Sequence, residues 1–426
     1  MKLNLLKSKE AKNAGWLISG KIVQMMLSLV VGAISARYLG PGNYGLINYA
    51  NSFVSFFMAF CTLGLNSVII KDFVDNPDEQ GKALGSSILL RIISSLCSSI
   101  MIIAISFVMD ANEKITIAVV ALSSISLVFH AFDTINYWFQ SLYKSKVTSV
   151  VSLVSYMVTS AYKITLLVLN KDVRWFAFAT SVDYIFISLL LILAYKKYNG
   201  PKLTFSFAKS KHLLSKSYHY ILSGMMVVIY GQTDKLMLKQ MLDETAVGYY
   251  SVGTTICNMW VFVLAAVIDS MYPTILSLYG KSKEEFDKKN KQLYAIVFYV
   301  SVFVSIMFCI FGNLAIKILY GEAYLPAAGP LKIITWYTAF SYLGVARRAW
   351  IVSYDRQKHL KTIYFFAAIF NVVANALLIP KFGAAGAAFA SLITQIFTSL
   401  ILPFCIKDLR ENAVLMLQAI LLKNIK

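Results

Sequence analysis

A helix rising about 1.5 Å per residue needs about 20 apolar residues to cross a bilayer core about 30 Å thick. That template fits twelve runs along the chain: 14–36, 46–70, 83–109, 115–139, 147–169, 175–195, 217–238, 246–270, 292–316, 331–354, 362–379 and 383–406. The runs at 46–70, 292–316 and 383–406 contain no charged residue. A thirteenth apolar stretch, 413–422, is too short to span and is expected at the interface. The first run follows a basic stretch and shows no small-residue cleavage pattern, so it is expected to remain in the mature protein.

Composition narrows the picture. At 58% hydrophobic, 14% charged and a mean hydropathy of +0.65, the chain has too few polar groups to cover a water-soluble surface. A soluble enzyme and a disordered chain are both excluded. The expected class is an all-α polytopic membrane protein with about 12 transmembrane helices in two parallel six-helix bundles around a central cleft. Its five cysteines lie in apolar stretches without metal-like spacing and read as small buried hydrophobes.

The net charge of +19 first suggests nucleic acid. Most lysines and arginines, however, fall in the N-terminus, in every second connection and in the C-terminal tail. That alternation is the positive-inside signal, so it predicts both termini in the cytoplasm and no nucleic-acid partner.

The chain also repeats itself. Leu39-Gly40-Pro41-Gly42-Asn43-Tyr44-Gly45 corresponds to Leu242-Asp243-Glu244-Thr245-Ala246-Val247-Gly248, and 166–179 echoes 376–390. Six runs per half place both halves in one orientation, related by an axis along the membrane normal. The expected domains are an N-terminal bundle at 1–198, a basic cytoplasmic linker at 199–216, a C-terminal bundle at 217–406 and a cytoplasmic or interfacial tail at 407–426.

Ionisable groups inside spans cost about 2.5–3.5 kcal/mol each on insertion scales, so they mark candidate sites. The cations are Lys21, Arg37, Arg91, Lys163 and Lys235, and an excess of them in a low-dielectric cleft suits a phosphate-bearing cargo. Several lie near a membrane face, where snorkelling is the plain alternative. The acids and their neighbour are His130, Asp133, Asp183, Asp234 and Asp269, candidates for ion coupling. His130 and Asp133 share a helix face and are expected to form a local pair. Asp234 and Lys235 are adjacent and cannot share one face, so one of them, Asp234, is expected in the cavity. No G-x-S-x-G, H-E-x-x-H or G-x-x-x-x-G-K-[ST] motif is present, and no cofactor is expected.

Four motifs in order resemble the polysaccharide-type flippases, the Wzx-like O-antigen transporters of the MATE/MOP superfamily. They are Ala36-Arg37-Tyr38-Leu39-Gly40-Pro41-Gly42-Asn43-Tyr44-Gly45; Thr233-Asp234-Lys235 with Val247-Gly248-Tyr249-Tyr250-Ser251; Leu319-Tyr320-Gly321-Glu322-Ala323-Tyr324; and 375–388, which opens Asn375-Ala376-Leu377. Gly40-Pro41-Gly42 reads as a tight turn and Pro380 as the end of the eleventh run. The resemblance implies a bacterial or archaeal cytoplasmic-membrane protein moving undecaprenyl-pyrophosphate-linked repeat units to the outer leaflet. Its implied partners are that lipid-linked glycan, the bilayer and other glycan-assembly proteins, with the membrane potential or an H+ or Na+ gradient as driving force. The alternative is a MATE-like cation-coupled exporter of small molecules.

Overall fold

The apolar runs become long helices, and no strand occurs among the described residues. The computed structural model describes the backbone of residues 9–423 and the side chains of 20, 23–66, 68–218, 220–221, 225, 228 and 231–423. Among these residues eight helices are long and apolar enough to cross a membrane, fewer than the twelve runs expected. Two of the eight, Val23–Cys61 and Lys358–Cys405, each carry two expected runs. The runs at 217–238 and 331–354 lie on α8 (Phe207–Met241) and on α12 (Ala328–Ala346) with α13 (Arg348–Ser353).

Glycine breaks the doubled helices. Within α1 (Lys9–Cys61), Gly40 takes φ 73° and ψ 168°; within α14 (Lys358–Ile396), Gly383 takes φ 59° and ψ −136°. Both angles lie where a Cβ is strained, so glycine is the residue that permits the break. Pro380, expected to end the eleventh run, sits inside α14, and the helix departs from regular geometry only at Gly383.

The chain forms two compact units. One holds the chain up to Leu39 with Leu46–Val228; the other holds Gly40–Gly45 with the chain from Ile229 onward. The 199–216 stretch, expected as a linker, is fastened to the first unit. It follows α2 (Asn66–Asp75) and α3 (Gln80–Met109) closely: a Cβ on Gly81 would lie 2.3 Å from the Lys202 carbonyl oxygen. The Ser206 amide donates to Ser86 Oγ at 3.0 Å. Lys209 Nζ pairs with Asp72 at 3.0 Å and Glu79 at 3.1 Å. Burial pulls the Lys209 ammonium down, but its hydrogen bonds to Asp72 and Glu79 outweigh burial and hold it above the usual lysine range.

In the first unit, α4 (Lys114–His130), α5 (Thr134–Ser141), α6 (Ser145–Val168) and α7 (Val173–Lys197) complete the bundle. Asp172 caps α7, accepting from the Arg174 amide at 3.0 Å. Trp138 anchors the core, its ring centroid 5.0 Å from Phe139 and 4.9 Å from Tyr195.

The second unit adds α9 (Glu244–Asn258), α10 (Val261–Leu278), α11 (Lys283–Tyr320), α15 (Leu402–Cys405) and α16 (Arg410–Ile420). Asp243 caps α9 through the Ala246 amide at 2.7 Å. The short apolar stretch expected at the interface is largely α16. It packs Leu415, Met416 and Ala419 into the core with Leu293 and Trp350, and Asn412 Nδ2 donates to Tyr294 Oη at 2.7 Å. Partners for a core face explain why a run too short to span is nevertheless apolar.

The internal repeat has structural counterparts. Ser188 Oγ donates to the Phe129 carbonyl in the first unit and Ser399 Oγ to the Phe340 carbonyl in the second, each at 2.7 Å and each across 59 residues. The two Leu-x5-Gly links also interlock within the second unit. A Cβ on Gly45 would lie 1.7 Å from the Glu244 carbonyl oxygen, and one on Gly248 would lie 2.2 Å from that of Pro41. Backbone meets backbone, leaving no room for a side chain. Gly45→Ala and Gly248→Ala are each expected to cost at least about 1–3 kcal/mol through overpacking, read as a lowered unfolding temperature in detergent. Gly32→Ala, where nothing lies within 4 Å of the added carbon, is the neutral control. Equal unfolding temperatures for all three variants would contradict the interlock.

Candidate functional site

A carboxylate in an apolar bundle needs donors close by, and Asp234 on α8 finds them on two other helices. It is 3% exposed. Tyr250 Oη from α9 and Ser391 Oγ from α14 both donate to Oδ2, while Asn375 Nδ2 donates to Oδ1 at 2.6 Å. The same amide nitrogen reaches Asn371 Oδ1 at 3.0 Å. Both carboxylate oxygens are therefore engaged, by side chains from α9 and from both sides of the Gly383 break.

A cavity of about 160 Å³ opens beside this cluster, lined by Gln232, Asp234, Lys235, Tyr250, Asn258 and Tyr337 among others. Asp234 and Lys235 both line it, contrary to the expectation that only one of two adjacent residues reaches a cavity. Neighbouring side chains on a helix diverge by about 100°, and a cavity at the helix surface spans that angle. Its chemistry is mixed: one ammonium, one carboxylate already held by donors, and neutral amides and hydroxyls. Among the described residues no group of three or more His, Cys, Asp or Glu side chains is placed to hold a metal ion.

The first unit buries a second polar centre. Arg91 on α3 is fully buried; Nη1 donates to Thr134 Oγ1 at 2.9 Å and Nη2 to His130 Nδ1 at 2.8 Å. Because a guanidinium only donates, the imidazole accepts at Nδ1. The His130–Asp133 pair expected from spacing is replaced: a 3-10 turn at Ala131–Asp133 intervenes, and the hydrogen bond given to Asp133 comes from Asn136 at 3.3 Å. Asp183 accepts from Ser155 at 2.9 Å and Thr159 at 3.2 Å, with Lys163 in electrostatic reach. A larger, mostly apolar cleft of about 460 Å³ in this unit is lined by Asn51, Met58, Thr180 and Tyr184; the Tyr184 ring lies 5.1 Å from His130.

The other candidates stand apart. Arg37 and Asp269 are exposed on their helices, and the side chain of Lys21 lies outside the described residues. Sequence reasoning missed Tyr250, Asn375 and Ser391. Tyr250 and Asn375 nevertheless stand inside two of the four motifs singled out above, Tyr250 in the one that also holds Thr233-Asp234-Lys235. Those motifs meet at one carboxylate. The remaining two also meet: Tyr44 lies 6.4 Å from Tyr320 and 6.1 Å from Tyr324, centroid to centroid.

A family model described as "Polysaccharide biosynthesis protein" matches residues 11–279. The capsular polysaccharide biosynthesis protein CapF of Staphylococcus aureus is 20% identical, covering 92% of this chain and 97% of that protein. A protein of Escherichia coli K12 named for O-antigen transport is 21% identical over 89% of this chain and 92% of its own. Among solved structures, the lipid II flippase MurJ in an inward closed conformation gives a TM-score of 0.75 at 14% identity, covering 95% of this chain and 91% of that one. An inward-facing multidrug MATE transporter of the MOP superfamily gives 0.67 at 14% identity, covering 93% and 96%. The two structures share the fold.

Hydrogen bonds to a charged group contribute about 1.5–3 kcal/mol, and stranding a buried partner costs a similar amount. Asn375→Ala and Ser391→Ala are therefore each expected to lower stability by about 1–3 kcal/mol, measured by thermal unfolding in detergent. In an Asp234→Asn background the same substitutions should cost less, because no charge remains to be stranded. Fully additive losses would contradict a shared carboxylate centre.

Proposed function

The chain belongs to the polysaccharide biosynthesis protein family, and on that premise we propose that this multi-pass membrane protein is a flippase for lipid-linked oligosaccharides. The family match over residues 11–279 carries the reading. The relatives named for O-antigen transport and capsular polysaccharide biosynthesis support it, as does the fold shared with a lipid II flippase. The cargo is an undecaprenyl-pyrophosphate-linked repeat unit, moved from the cytoplasmic to the outer leaflet of a bacterial or archaeal cytoplasmic membrane. The basic alternate connections support a cytoplasmic location for both termini. Other glycan-assembly proteins supply and consume the cargo.

Lys235 offers the pyrophosphate an ammonium at a cavity wall of the second unit; Arg37, exposed on its helix in the first unit, is a separate point of contact along the cargo's route. Arg91 is enclosed, so it acts by holding α3 to His130 and Thr134. Asp234 is the coupling acid: its donors can rearrange when it takes up a cation or proton. The driving force is the membrane potential together with an H+ or Na+ gradient. A pyrophosphate diester carries about two negative charges, and each gains about 2.3 kcal/mol per 100 mV on moving outward from a negative cytoplasm.

The test uses purified protein in liposomes and a lipid-pyrophosphate-linked oligosaccharide whose outer-leaflet fraction is read with an impermeant reagent. Lys235→Ala and Arg37→Ala are expected to reduce initial rates by about tenfold, the loss of about 1.4 kcal/mol of head-group interaction. Asp234→Asn should abolish the response to an imposed gradient while leaving head-group affinity unchanged. Wild-type rates in both cation variants would overturn the head-group assignment.

A further inference from the structure

Arg347, at the end of α12, is only 4% exposed. Its Nη2 donates to the Thr398 carbonyl at 3.1 Å, its Nη1 is buried without a partner, and no described carboxylate pairs with it. The ionisable neighbours that act on it are the hydroxyls of Tyr294 and Tyr364. A guanidinium desolvated without a counter-ion is an unusual thing for a helical bundle to keep. Thr398 itself lies in a π-helical turn, Phe397–Ile401, a geometry that recurs at functional sites.

From Thr398 the helix leads back through buried Gln395 and Thr394 to Ser391, which donates to Asp234. That is about 10 Å of helix at about 1.5 Å per residue. On the other side of the Gly383 break, Asn371 and Asn375 are completely buried and bonded to one another. Asn371 Nδ2 and Asn375 Oδ1 lack partners, as Arg347 Nη1 does. These three are among several buried polar atoms of the second unit without a partner, and lipid offers them none.

The charged and titratable groups around Asp234 show which way a cation can arrive. Lys235 stands beside it on α8, and Tyr250, Cys257 and Tyr337 line the cavity from α9 and α12. From α14 come only the neutral Ser391 and Asn375. The cavity side therefore carries a basic group, Lys235, whereas no charged side chain lies along the helix between Ser391 and Thr398, where Arg347 is met.

We propose that this polar column is the path by which the coupling cation, a proton or sodium ion, enters and leaves Asp234, and that Arg347 is the gate at its far end. The guanidinium plugs the column through Thr398 and repels cations electrostatically; its withdrawal admits them. The inference rests on the reading of Asp234 as the coupling acid. Arg347 acts through Asp234 and is a positioning residue.

The experiment places a thiol in the column, Gln395→Cys, in full-length protein whose native cysteines are replaced by alanine. Its reaction with a small methanethiosulfonate is timed with Arg347 intact, in R347Q and in R347K, alongside flipping in liposomes under a proton gradient or a sodium gradient. R347Q should raise the labelling rate at least tenfold and remove the stimulation by whichever gradient drives the wild type, with R347K restoring both. The gradient that stimulates the wild type identifies the ion. Unchanged labelling and unchanged gradient dependence in R347Q would overturn the gate. So would an R347K that labels and unfolds as R347Q does, because the role would then be packing of the guanidinium. Asp234→Asn separates the two readings: persistent gradient dependence there removes Asp234 as the coupling acid, whereas its loss there with R347Q unaffected removes the gate alone.

Discussion

A carboxylate inside a membrane-embedded helical bundle must be satisfied from within, because lipid supplies no donors. Asp234 meets that constraint by drawing Tyr250, Ser391 and Asn375 together, and much of the second unit is arranged to deliver those donors. Asn375 and Ser391 flank the break at Gly383, so the helix has to bend for both to reach one acid. Tyr250 stands on α9, whose start is fixed by the Asp243 cap. Lys235 lines the cavity beside a carboxylate that is already held by other donors.

The same economy governs the interlocked links. Gly45 and Gly248 allow two backbones to touch where any side chain would collide, and Tyr44 then reaches Tyr320 and Tyr324. Small residues that let backbones approach replace the hydrophobic driving force that membrane helices lack toward one another. In the first unit the equivalent work falls to hydrogen bonds: Arg91 ties α3 to His130 and Thr134, and Ser155 and Thr159 hold Asp183.

Apolar runs and glycine positions were legible in the sequence because length and hydropathy are set by the bilayer. Two of the boundaries between runs were legible as well, since the backbone leaves helical geometry at Gly40 and Gly383, where hydropathy separates one run from the next. Asp234 was legible as an acid in a span, and so was Lys235. Their partners were not: Ser391 is one serine among many in apolar helices, and neutral donors cost less to bury than ions and so are less conspicuous. Asn375 and Tyr250 stood in the quoted motifs, but no spacing rule shows that residues so far apart meet at one carboxylate. Arg347 was hidden by its neighbourhood. It sits in a run of basic residues that reads as a topology signal, and only its burial distinguishes it from Arg348 beside it.

The flippase account rests on the movement of a pyrophosphate head group across the bilayer. Its most direct test is the leaflet distribution of lipid-linked oligosaccharide in cells with and without this gene, scored with an impermeant reagent that reacts only with outward-facing head groups. The account predicts that cells lacking the protein, and any redundant relative, accumulate lipid-linked units that the reagent cannot reach, and that the wild-type gene restores access. An unchanged distribution in such cells would contradict it.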